Sequence, residues 1–319
     1  MACSPRARAA RVGCADRRRH ATLRAPIAHR LVTGLQGGSG STIGPDRALY
    51  VTESAAGRIT RVDPKTGATT TYASGLPTLI PEVGFGGPVD VAFLGRTAYV
   101  LVTLVGPEVG GSDVVGVYRV DGPDRFTVVA DIGAFSIANP PATDFFVPSG
   151  VQYALQAYRG PLLVTDGHHN RVLRVTRDGQ ISELRAFGNI VPTGLDVRGR
   201  TIYMAQAGPS PTCPRTARWW RSGPTRPPSG TWPLAAACRW MWSSAPGIGC
   251  TPLSQGVFPP GNPVGSPALP NTGALVRAHR DGTVSVVIDR LNQPTSLEFI
   301  GKTAYVVTLG GEIWKLQGV

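Results

Sequence analysis

The chain has 319 residues, 40 of them Gly and 29 Pro, a length that suits one large all-β domain or two ordinary ones. The glycines are aperiodic and separated by apolar β-formers, which excludes collagen and bulk disorder, and no apolar run approaches the roughly 18 residues of a membrane span. The formal net charge of +12 sits wholly in two segments, residues 1–30 with eight Arg against Asp16 and residues 209–252 with five Arg and no acid, so the neutral remainder gives no nucleic-acid or anionic-membrane surface.

In chain order, residues 1–28 are an Arg-rich, acid-poor segment without the apolar stretch of a secretory signal; no signal peptide is visible, and the segment is left unassigned, disordered or mis-translated. The strand "HRLVTGLQ" (29–36) follows, then "RALYVTE" (47–53), "GRITRVD" (57–63) and "GATTTYASGL" (67–76). A second unit repeats the order: "GPVDVAF" (87–93), "RTAYVLV" (96–102), "VGVYRVD" (115–121) and "DRFTVVADIG" (124–133). The third is "VPSGVQYA" (147–154), "GPLLVTD" (160–166), "NRVLRVT" (170–176) and "GQISELRAFG" (179–188). "VPTGLDV" (191–197) and "RTIYMAQ" (200–206) open a fourth, "GALVRAH" (273–279) and "GTVSVVIDRL" (282–291) end a fifth, and "QPTSLEF" (293–299), "KTAYVVT" (302–308) and "GEIWKLQ" (311–317) form the last. Each run alternates with period two and is rich in β-branched residues, as half-buried strands require.

Four strands per unit, at a spacing of roughly 44–60 residues, is the signature of a propeller blade. The last unit lacks a fourth strand, and "HRLVTGLQ" can supply it. The expected fold is therefore an all-β, six-bladed β-propeller closed by an N-terminal strand pairing with the C-terminal blade. It forms a single monomeric domain over 29–319, disrupted at about 211–252.

That disrupted stretch holds Cys213, Cys238 and Cys250 and five of the six Trp, with cysteine spacings that match no zinc or redox pattern. The only other cysteines are Cys3 and Cys14. Trp240-Met241-Trp242 requires the codons TGG-ATG-TGG, and one base earlier the same bases encode Asp-Val. With an Arg239 codon ending in G this becomes Val-Asp-Val, as at Val89-Asp90-Val91. The same shift turns Trp219-Trp220 into Val-Val and restores Tyr-Ala before "LSQG" (253–256). The sequence reads as a frameshift from near Pro211 to near Pro252, testable in the nucleotide sequence. The alternative, a true Trp/Arg-rich insertion, would expose many Trp on the surface.

The stretch "LLVTDGHHNRVLRVTRDGQI" (162–181) looks like an NHL repeat. "GGSGSTIGPDRALYVTE", "VTLVGPEVGGSDVVGVYRVDG", "SQGVFPPGNPVGSPALPNTG" and "PTSLEFIGKTAYVVTLGGEIWK" resemble the ScyD/ScyE-type family of bacterial, TolB-like extracytoplasmic propellers, over roughly 32–210 and 253–319. The resemblance implies a propeller fold and an extracytoplasmic or secreted location. It brings no defined chemistry.

In such propellers one face collects the loops that lead into the innermost strands and those after the second strands. The ligand-binding candidates placed there are Asp90, Ser149, Thr193 and Thr295 at the innermost strands, with Glu53, Asp166, His168, His169 and Asn170 after the second strands. Asp166 and Asn170 also read as turn caps, and the two histidines as solvent-exposed turn residues. Asp90 stands where other units carry Gly150, Gly194 and Ser296, and with a second inward carboxylate it is the candidate ligand for Ca²⁺. Two long loops, 106–113 and 256–273, would overhang the mouth from opposite sides. No nucleophile elbow, phosphate loop or H-E-x-x-H pattern occurs. The expected function is a non-catalytic propeller binding a small molecule or a protein on its loop face. The alternatives are a Ca²⁺-dependent lactonase of the SMP-30-like kind and a non-functional frameshifted product.

Overall fold

The structure is a computed structural model that describes residues 26–207, 218–222, 240–245, 249–258, 267–278 and 284–319, the second and third of these spans as backbone only. Most of the stretch proposed to be out of frame lies outside the described residues.

The described strands form antiparallel sheets in sequence order. The N-terminal strand β1 (Ile27–Val32) is followed by the sheet β2 (Gly38–Ile43), β3 (Leu49–Glu53), β4 (Arg58–Val62) and β5 (Thr69–Ser74). Next come β6 (Gly87–Leu94), β7 (Thr97–Thr103), β8 (Gly116–Gly122) and β9 (Arg125–Asp131), then a helix α1 (Ile132–Ala138). The third sheet is β10 (Gln152–Ala157), β11 (Leu162–Asp166), β12 (Arg171–Val175) and β13 (Ile181–Ala186). β14 (Val191–Arg198), β15 (Thr201–Ala207) and β16 (Arg218–Ser222) make a three-stranded sheet. β17 (Trp240–Ala245), β18 (Gly249–Ser254), β19 (Gly273–Ala278) and β20 (Val284–Leu291) make another of four. The last is β21 (Pro294–Ile300), β22 (Thr303–Thr308) and β23 (Ile313–Gln317), with β1 on its outer edge.

The fold is an all-β propeller with five four-stranded blades, not the six expected. The sheet begun by β14 stops at three strands among the described residues, because β17 already belongs to the next one. β1 pairs antiparallel with β23, Ile27 opposite Gln317 and Arg30 opposite Trp314.

The first strand of each sheet contacts the first strand of the next, from β2 through β6, β10, β14 and β17 to β21. Apolar residues therefore meet between sheets. Val89, Leu101 and Val117 pack on Leu155, Leu162 and Leu173, and Leu163 and Val172 pack on Leu195 and Met204. Burying each such side chain contributes about 1.5–3 kcal/mol, and this inter-sheet stacking is the main source of stability.

Two local features differ from the sequence reading. "VPSG" (147–150) is a loop, and β10 begins only at Gln152, so Ala154 rather than Gly150 holds the register of Asp90. Strand β9 also ends early. Asp131 accepts the Ala134 N–H at 2.7 Å as an N-cap and starts α1.

Gly40 shows how closely the innermost strands approach. It holds the same register in β2 as Asp90 in β6, and a methyl there would overlap the Asp90 carboxylate and the Val89 carbonyl. Gly40→Ala is expected to destabilise the fold by about 1–3 kcal/mol through overpacking, read as a lower urea midpoint at unchanged m.

Candidate functional site

The innermost strands converge on a cavity of about 460 Å³, its open mouth included. Ser39 of β2, Val89 of β6, Tyr153 of β10, Thr193 of β14 and Thr295 of β21 contribute to its wall, with Phe85, Gln255 and Pro294 beside them. The structure thus brings together Thr193 and Thr295 from the sequence candidates. It adds Ser39, Gln255 and the two aromatic rings, which sequence reasoning missed. Thr295 Oγ1 lies 3.1 Å from the Gly38 carbonyl and 3.2 Å from that of Val307, tying β21 to its neighbours.

Asp90 lies next to Val89 and is 8% exposed. One carboxylate oxygen accepts the Val91 N–H at 2.9 Å, and the other accepts the Leu155 N–H of the adjacent sheet at 2.8 Å. Burial pushes its pKa up to about 7, and the two backbone bonds only partly oppose this. Two further carboxylates share the innermost strands. Asp196 and Glu298 stand opposite Tyr203 and Tyr305, one step of alternation beyond the Asp90 row. Glu298 is half-buried, and burial first, then the charges of Asp196 and Asp90, raise its pKa well above the ordinary range. The signal was present in the sequence, since Asp196 and Glu298 each follow their strand-opening proline by four residues.

Glu53 and Asp166 have a different task. Each sits at the end of a second strand opposite an arginine that starts the third, Arg58 and Arg171. Arg58 holds Glu53 through two bonds of 2.8 Å, and Gln36 N–H and Thr60 add to them. Burial pushes Glu53 up, but these donors outweigh it and leave its pKa lowered. Asp166 is fully buried and accepts from Arg171 at 2.9 Å, Gln152 at 3.0 Å and Ser136 at 3.2 Å. Both carboxylates are structural anchors. Ser149 precedes β10 and gives its hydroxyl to Glu108 of the 106–113 loop, so it is also outside the cavity wall.

His168 and His169 are buried, 5% and 1% exposed, where the sequence suggested open turn residues. The cause is the loop after α1, whose Phe145 and Phe146 rings cover them edge-on at 5.0 and 4.6 Å. His169 Nε2 lies 3.0 Å from the Val147 carbonyl, which can only accept, so Nε2–H donates, while Nδ1 faces both the Arg171 guanidinium at 3.2 Å and the Asp166 carboxylate at 3.3 Å. His168 Nε2 meets the Tyr153 hydroxyl at 2.9 Å and so touches the cavity wall. Asn170, at φ 56°, donates its side-chain amide to the Thr143 hydroxyl at 2.7 Å, in the loop after α1, and not to the backbone of its own turn.

Calcium does not fit these residues, because among the described residues no three His, Cys, Asp or Glu side chains converge as a metal site requires. No helix among the described residues is long and apolar enough to cross a membrane.

No protein-family profile matches the chain, and no curated protein matches it. Solved structures do match in fold. A putative oxidoreductase (glucose dehydrogenase) from Thermus thermophilus superposes with a TM-score of 0.64 at 16% identity, covering 91% of this chain and 99% of that one. A gluconolactonase from Xanthomonas campestris gives 0.59 at 12% identity, covering 92% and 89%. Virginiamycin B lyase from Staphylococcus aureus gives 0.55 at 12%, covering 92% and 98%. All three are named as enzymes, which overturns the reading of this chain as a non-catalytic binding propeller; at these identities the likeness itself establishes the β-propeller fold.

Proposed function

We propose that the chain is a hydrolase of cyclic esters, working in the cavity at the end of the innermost strands with Asp90 as general base. The observation that carries this reading is a buried carboxylate beside the cavity wall with a pKa of about 7. A base poised near neutral pH is half ionised where it must act and strong enough to take a proton from water. Asp90 accepts that proton as the water oxygen bonds to the lactone carbonyl carbon. The ring C–O bond then breaks, and the proton passes to the departing alkoxide. Thr193, Thr295, Ser39 and Gln255 are the wall residues able to hydrogen-bond the ester. The fold likeness to a gluconolactonase supports the choice of ester.

Hydrolysis of γ- and δ-lactones by the purified chain, with and without chelator, tests the proposal. Turnover that persists in chelator is expected. No turnover on any lactone, with or without added Ca²⁺, would overturn the hydrolase reading, and chelator-sensitive turnover would overturn the metal-free mechanism.

Several finer assignments accompany this reading. Closure of the ring is supported by the contacts that run from one innermost strand to the next and by the β1–β23 pair. A ScyD/ScyE-type origin with an extracytoplasmic location rests on the quoted segments, and the frameshift on the codon constraints at Trp240-Met241-Trp242. Resequencing that region tests the last directly.

A further inference from the structure

We propose that the face opposite the cavity docks on an anionic lipid surface through an array of cations on the hairpin turns that follow the innermost strands. Ser39, Val89, Tyr153, Thr193 and Thr295 lie near the starts of their strands and line the cavity, so the turns that end those strands stand together at the other end of the channel. The strands contact one another in series, which sets the turns side by side. Each of the five described turns carries an exposed cation: Arg47, Arg96, Arg159, Arg200 and Lys302. The turn between β17 and β18 lies outside the described residues. Tyr158 joins two of the turns by giving its hydroxyl to the Arg200 carbonyl at 3.3 Å. The one acid in these turns, Asp46, is held by Arg61 at 2.7 Å, and among the described residues none of the five cations makes an ion pair. Half-buried Arg198 stands next to this array, and its Nη2 has no acceptor.

Outside its two Arg-rich segments the chain is neutral in sum, but its signs are separated along the channel. On the cavity side, loops 75–86, 104–115 and 132–151 hold the exposed acids Glu82, Glu108, Asp113 and Asp144 and no Lys or Arg. Net neutrality, which in the sequence argued against an anionic-membrane surface, thus reflects two faces of opposite charge, and such a dipole turns the basic face toward negative charge. The turns between third and fourth strands, farther from the channel, are balanced: Asp63 lies near Lys65, Asp124 beside Arg125, and Arg177 beside Asp178. The excess is therefore confined to the inner turns. None of the exposed large apolar side chains described lies in those turns, so a folded protein would find no hydrophobic anchor there. Lipid headgroups need none, because they move laterally and can gather under each cation.

The test is co-sedimentation of the full chain with vesicles of phosphatidylglycerol and phosphatidylcholine in equal parts. Binding that weakens as salt rises is expected, with none to phosphatidylcholine alone. Arg96→Gln, Arg200→Gln and Lys302→Gln together should weaken it about 100-fold, roughly fivefold for each cation removed. These side chains make no described bond, so the urea midpoint should stay where it is. Removing the same charge from the outer turns, by Lys65→Gln, Arg125→Gln and Arg177→Gln, should weaken binding less than about tenfold. No binding to the anionic vesicles would overturn the proposal. So would equal losses in the two triple variants, or full binding by the first, since net charge or the Arg-rich segments would then carry the attraction. Tighter binding to soluble polyglutamate than to the vesicles would overturn it in favour of an acidic protein partner.

Discussion

Asp90→Asn is expected to lower lactone turnover by about 10²–10⁴-fold with little change in KM, because the amide keeps the shape of the carboxylate and loses its basicity. In the wild type, kcat/KM should rise with pH through about 7, the pKa of the buried carboxyl, and level off above it. Stability moves the opposite way. The folded pKa of about 7 lies above the reference value of 3.8, so between those values the folded state binds more protons than the unfolded state. The stability that protonated Asp90 permits is complete below pH 3.8, falls as pH rises, and is gone above about 7. The size of the shift corresponds to about 4 kcal/mol. Urea denaturation of wild type from pH 4 to 8 should show this decline, and Asp90→Asn should abolish it. A pH-independent difference between the two proteins would refute the assignment.

Arg171→Leu is expected to cost about 3–5 kcal/mol, the largest single loss among the anchors, because it strands the carboxylate of Asp166 in a site with no solvent. Arg171 also holds Ser136 of α1 and the Asn139 carbonyl, so the helix and the loop that follows it should loosen together. Replacing both partners, with Asp166→Leu beside Arg171→Leu, should recover a large part of the loss, since the uncompensated charge disappears. A double-mutant cycle read by equilibrium unfolding measures the coupling. If the double substitution costs the sum of the singles, Asp166 is held by other groups.

The strands were legible because period-two alternation and tyrosine-bearing second strands recur unit after unit, and Tyr50, Tyr99, Tyr203 and Tyr305 all occupy equivalent register positions. The strand read at 147–154 starts only at Gln152, because 147–150 make a loop. Helix α1 was missed because about two turns with one capping Asp leave hardly any periodic signal. Among the site residues, Thr193, Thr295 and Asp90 followed from strand position alone. The burial of His168 and His169 did not, because it depends on Phe145 and Phe146 reaching them from a loop more than twenty residues earlier in the sequence.

The pairing of β1 with β23 sets a schedule for biosynthesis. β1 leaves the ribosome before every other described strand and β23 after them, so at about 5–20 residues per second β1 waits roughly 15–60 s for its partner. Through that interval the sheets from β2 onward can stack in the order they emerge, each on its predecessor. The final sheet cannot, because it needs the oldest and the newest strands together, and the closing of so long a loop makes its assembly the slow step. The meeting of β1 with β23, and not the folding of any earlier sheet, times the completion of the described fold.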